Sequence, residues 1–206
     1  ASEHLKNLKS SLLKRKSHSD GLAMVSAHLA TAQLESGKVT EAAEEAELAM
    51  SYGKASSLVV TSLVGEFSKR GREKVLRPVL ERLVKNDPTQ GFAHITLGNI
   101  ASKDDDHDAA IEHFSNAILL SPERDDLYSA RGHARYAQFN YGDALNDFNL
   151  AIRFRPESGS HRYNRACMLA RLGRKAEAME DLREAIALDR ELRDLARKDD
   201  DLASLR

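Results

Sequence analysis

The stretch Asp104-Asp105-Asp106-His107-Asp108 gathers five potential ligand side chains in five positions. Closely spaced carboxylates can hold a hard cation, and the calcium loop does so with Asp-x-Asp-x-Asp-Gly followed by a Glu at its twelfth position. Here the glycine and the spacing are both missing. The same acids suit the start of a helix, where the dipole favours negative charge, and capping is the reading adopted. His107 and His113 stand six apart, which fits neither the i,i+3 nor the i,i+4 spacing of two ligands on one helix face. Cys167 and His133 could supply a thiol and an imidazole, but a small cysteine packed between helices is the commoner use of that residue. No Gly-rich phosphate loop, His-Glu-x-x-His, Cys-x-x-Cys or Gly-x-Ser-x-Gly occurs. The residues point to no catalytic group, no metal and no cofactor.

The elements that carry these residues recur. Pro88, Pro122 and Pro156 lie 34 residues apart, and the next step lands on Arg190. Gly98, Gly132 and Ala166 keep the same interval, as do Ala110, Ala144 and Ala178, then Ala117, Ala151 and Ala185, then Phe114, Phe148 and Leu182. Self-similarity at a fixed period marks a stacked repeat. Within residues 125–158, apolar periodicity predicts one helix over about 125–138 and a second over about 142–155. Gly132 and Ala144 allow the two backbones to approach, Phe148 fills the space beside them, and Pro156 ends the second helix.

The pattern of small residue, alanine, aromatic, alanine and proline resembles the tetratricopeptide repeat (TPR) family. The early consensus positions are poorly kept, with His94, Tyr128 and Arg162 where the family prefers Trp. The resemblance implies an all-α, right-handed α-solenoid of five helix-turn-helix units at 23–56, 57–90, 91–124, 125–158 and 159–192. It also implies capping helices at 1–22 and 193–206. Units three to five carry the pattern strongly; the first two rest on phase. Unit two is expected to be irregular, because Leu76 and Leu83 replace alanines and Pro78 falls near its second helix.

In that family the first helix of each unit lines a concave surface that binds extended segments of other proteins. Carried over by position, the peptide-binding groove comprises Phe92, Ile95, Thr96, Asn99, Lys103, His133, Tyr136, Tyr163, Asn164 and Arg171. Asn99 and Asn164 can each pair with a peptide N–H and C=O at once. The family's clamp for the C-terminal tail of heat-shock chaperones uses two Lys, two Asn and one Arg. Its positions here carry Ile95, Asn99, Ala130, Ser160 and Asn164, so both lysines and the arginine are missing and that tail is not the expected ligand. The resemblance therefore implies a non-catalytic scaffold that holds a peptide or helix of a partner protein for complex assembly.

Composition agrees with a helical array. Hydrophobic residues make up 41% and charged residues 31%, enough apolar surface to fold; aromatics are 5% and Trp is absent. Net charge is −1, so nothing draws the whole chain to nucleic acid or membrane. The sign alternates instead, positive over 1–22 and 57–90 and negative over 23–56 and 91–124. The alternative reading is a basic module contacting RNA or anionic lipid through 1–22 and 57–90. Irregular unit two also leaves self-association open as a homo-oligomer. The single cysteine excludes an intramolecular disulfide and favours a cytoplasmic location, although a removed leader is compatible with a chain beginning at Ala1. No apolar run is long enough to span a bilayer.

Overall fold

Five turns recur along the chain with the same backbone geometry. A computed structural model describes residues 2–14, 19–52 and 57–205 of the protein. In it, positions 37, 71, 105, 139 and 173 all take the left-handed conformation, with φ of +79°, +63°, +59°, +60° and +75°. At each, the next residue's N–H bonds to the carbonyl five positions back: Lys38 to Gln33, Arg72 to Phe67, Asp106 to Ala101, Asn140 to Arg135 and Arg174 to Leu169. This is the Schellman closure of a helix, repeated at the 34-residue interval.

Helices flank every turn. They are α1 (Ser2–Lys14), α2 (Ser19–Glu35), α3 (Val39–Ser51), α4 (Ser57–Lys69), α5 (Arg77–Asn86), α6 (Gly91–Lys103), α7 (His107–Leu120), α8 (Asp125–Ala137), α9 (Tyr141–Phe154), α10 (Gly159–Arg171), α11 (Lys175–Leu188) and α12 (Leu192–Ala196). Two 3-10 turns, Glu73–Leu76 and Asp200–Leu205, complete the list, and no strand occurs among the described residues. The fold is all-α. Contacts divide it into two compact units, 1–100 and 101–206, with the division inside α6.

In the first unit, Leu63, Phe67, Leu76 and Leu80 are buried around Ala42, Ala46 and Ala49 of α3. Of the two leucines that replace alanines, Leu76 closes the 3-10 turn before α5 and Leu83 lies within α5, a helix of only ten residues with Pro78 at its start, where a missing N–H costs nothing. The stretch 1–22, expected as one capping helix, holds α1 and, from Ser19, the first turn of α2, where Ser and Asp serve a helix start. Residues 15 to 18 lie outside the described residues. The alternating charge is matched internally. Lys9 meets Glu45 at 2.6 Å, Arg82 meets Glu47 at 2.5 Å, and Arg70 reaches both Glu35 and Glu66.

The second unit packs Phe114, Phe148 and the alanine rows into its core. Asp106 caps α7 by accepting from the Ala109 N–H, as capping chemistry requires. A polar ladder recurs here. Arg131 of α8 donates in bidentate fashion to the buried Asp147 of α9 and to Ser115 of α7. Arg165 of α10 repeats this with Asp181 of α11 and Asn149 of α9. All three positions advance by 34 residues.

Candidate functional site: the inner face of α8 and α10

Entry into each first helix is fixed by one recurring bond. The side chains of Tyr128 and Arg162 each donate to a proline carbonyl six residues earlier, that of Pro122 or Pro156, at 2.9 and 3.2 Å. In the first unit the His94 ring nitrogen contacts the Pro88 carbonyl in the same way, at 3.2 Å. Ser158 caps α10 by accepting from the His161 N–H. With these anchors set, α8 presents His133 and Tyr136, and α10 presents Tyr163, Asn164, Cys167 and Arg171. Six of these line or flank one cavity of about 220 Å³, which Phe148 and Met168 close from behind.

The Asn164 amide lies 3.1 Å from His133 Nε2, which accepts its proton as a neutral ring. Neutrality is favoured: desolvation against Phe148, whose ring sits edge-on at 5.3 Å, lowers the His133 pKa, and His161 lowers it further. One edge of the imidazole remains open to solvent. Arg171 lies over the Tyr141 ring at 5.6 Å. The Cys167 thiol is pushed well above its usual range, first by burial and then by the nearby Asp199 and Asp201 carboxylates. It therefore stays protonated at neutral pH and is a poor nucleophile.

Part of this face is already occupied. After α12 the chain does not continue as one capping helix, because the Asp199 carboxylate accepts from the Asp201 N–H and closes a turn that competes with helix. The segment then lies over α10. Tyr163 donates to Asp199 Oδ2 at 2.6 Å, and the Cys167 thiol approaches the same oxygen at 3.7 Å. Arg171 pairs with Asp201 at 2.7 Å, and the Tyr136 hydroxyl bonds to that aspartate as well. Burial raises the Tyr136 and Tyr163 pKa values, and the aspartates raise them further. Leu202 is 1% exposed. Within the stretch expected as a capping helix, Leu195 is exposed, while Ala196 and the preceding Leu192 are buried.

The other expected groove positions sit on α6. Phe92 and Ile95 are half-buried and Asn99 is exposed. Thr96 is buried, its hydroxyl bonded back to the Phe92 carbonyl at 2.9 Å. Lys103 is exposed and falls in the second compact unit. Sequence reasoning missed a more apolar cavity of about 390 Å³ between α2 and α4, lined by Ala23, Met24, Ala27, Val59 and Leu63. The only signal for it was the apolar character of both helices all round.

The tetratricopeptide repeat profile matches residues 93–124 and 129–192. The chain is 34% identical over 89 residues to the TPR repeat-containing thioredoxin TDX of Arabidopsis thaliana, which is 43% of this chain and 23% of that protein. It is 48% identical over 50 residues to Hsp70-Hsp90 organizing protein 1 of Glycine max, 24% of this chain and 9% of that protein. The chain thus spans a quarter or less of each of these relatives. Among solved structures, MamA from Desulfovibrio magneticus RS-1 superposes with a TM-score of 0.65 at 16% identity, over 82% of this chain and 96% of that one. That likeness shows the fold of tandem helical hairpins.

Proposed function

We propose, for a chain whose residues 93–124 and 129–192 match the tetratricopeptide repeat family, a non-catalytic scaffold that binds a peptide or helix of a partner protein on the inner face of α8 and α10. The observation that supports this is the cavity of about 220 Å³ bordered by Tyr136, Tyr163 and the Asn164–His133 pair. Aromatic walls with a few convergent polar groups suit an extended segment. The cysteine in this site is held as a protonated thiol, so the face offers recognition and no activated nucleophile.

The relatives' association with heat-shock chaperones does not transfer readily. The family's carboxylate clamp needs two lysines and an arginine, and none stands at its positions here, Ile95, Asn99, Ala130, Ser160 and Asn164. The basic-module alternative is opposed by pairing: Lys9, Arg70 and Arg82 are each engaged by glutamates of the same compact unit.

The test compares the chain with a His133→Ala/Asn164→Ala variant as bait in native lysate, identifying retained proteins by mass spectrometry. A protein held by the original chain and at least about tenfold depleted on the variant supports the scaffold. Equal retention on both, or retention that salt alone abolishes, overturns it.

A further inference from the structure

We propose that the inner face of α8 and α10 recognises an acidic segment of the form Asp-x-Asp-Leu, and that residues Asp199–Leu205 are its built-in competitor. The proposal rests on the reading of this face as the partner site and adds the chemistry of the partner.

The occupant itself supplies the argument. Its two carboxylates are spaced two residues apart, lie close together beside the Cys167 thiol and take different donors. Asp199 takes the Tyr163 hydroxyl and the Cys167 thiol, and Asp201 takes the Arg171 guanidinium and the Tyr136 hydroxyl. Leu202 follows and is buried. Every group the face offers to these acids is a donor. No acid occurs in residues 129–137 or 159–171, the stretches of α8 and α10 that form the face. Of the arginines there, Arg131 and Arg135 are paired with Asp147, Arg165 with Asp181 and Arg162 with Glu184, which leaves Arg171 as the cation that meets the occupant. An acidic ligand is therefore matched in charge, and an acidic residue on the face itself does not repel it.

A cap alone would not need this arrangement. Leu192, Ala196 and Leu202 already bury the apolar side of the last unit. The two aspartates add recognition at positions that the inner helix turns toward a ligand.

A tethered occupant acts at an effective concentration in the millimolar range, so a free segment of similar affinity competes poorly. Apparent affinity falls by the fraction of chains in which the face is open. Loosening the occupant should therefore strengthen binding in trans.

The experiment titrates a fluorescein-labelled peptide, Lys-Asp-Asp-Asp-Leu-Ala-Ser-Leu, into the full chain and reads anisotropy. The variants are Asp199→Asn/Asp201→Asn, the same with Arg171→Ala, and Asp201→Asn alone, each checked for helical content by circular dichroism. The expected result is at least tenfold tighter binding by the double variant, a smaller gain for Asp201→Asn alone, and loss of the gain when Arg171 is removed. Equal affinity for the original and double-variant chains, no binding to any, or a gain that survives Arg171→Ala overturns the proposal. If the His133/Asn164 pull-down still loses its partner while the peptide binds nothing, the partner site stands and the acidic-ligand assignment falls. Peptide binding with an unchanged pull-down gives the reverse.

Discussion

Phe139 holds a left-handed backbone, φ +60°, with 75% of its surface exposed. Three of the five equivalent turn positions are glycine, and Asp105 belongs to a residue type that tolerates this region. A bulky side chain there costs roughly 1–2 kcal/mol. Phe139→Gly removes that cost and returns part of it through the greater freedom of glycine in the unfolded chain, leaving a net gain of about 0.5–1 kcal/mol. The urea midpoint should rise with an unchanged slope; a fall would mean that the edge-on contact with Tyr141 matters more than the strain. At the same scale, His94, Tyr128 and Arg162 look in the sequence like three departures from one consensus aromatic. In the structure each side chain contacts the same kind of proline carbonyl. Sequence shows residue identity, and a shared bond among unlike side chains is invisible until the geometry places them.

Helix pairs were the most legible level, because small and apolar residues must recur wherever backbones meet. Gly132 illustrates the reason. A Cβ there would lie 3.1 Å from Phe148 Cζ and 3.3 Å from Asp147 Cβ. Gly132→Ala should therefore destabilise the chain by about 1–3 kcal/mol through overpacking. Gly65 sits inside α4 with nothing within 4 Å of the same atom, so Gly65→Ala should stabilise it by about 0.5–1 kcal/mol. Thermal denaturation of both variants checks the pair, and a matching sign in the two would refute the packing argument. The arginine ladder was present in the sequence at the same interval, yet only apolar and small rows were followed. Arg131 and Arg165 read as solvated charge unless their aspartates, sixteen residues on, are seen to be buried. The covering of Tyr163 and Arg171 by residues 199–205 was less accessible still. Leucines near the end of the sequence suggest a cap, but where a short segment folds back depends on a turn made by Asp199 and on donors from two other helices.

Over the whole molecule, the sign of the charge alternates along the sequence. Much of it is cancelled within the first compact unit, where the glutamates of α3 meet Lys9 and Arg82. The Arg82–Glu47 pair is exposed and contributes less than about 1 kcal/mol, whereas the Lys9–Glu45 pair is part-buried between α1 and α3. Because the left-handed turn returns after every 34 residues, joined by the proline anchor at 88, 122 and 156 and by the arginine bridge at 131 and 165, the length of this protein is quantised. Excising residues 125–158 joins position 124 to 159 in phase and carries Ser115 to the place of Asn149. Arg165 would then find the serine hydroxyl that Arg131 uses now. Such a shortened chain should keep its helicity per residue and unfold in one cooperative step, measured by circular dichroism. A cut one residue shorter that joins inside a helix, such as removal of 131–163, should lower the unfolding midpoint, since the part of that helix after the junction would rotate by about 100° and turn its buried positions to water. A chain of this kind can change its length by whole units far more readily than by one residue.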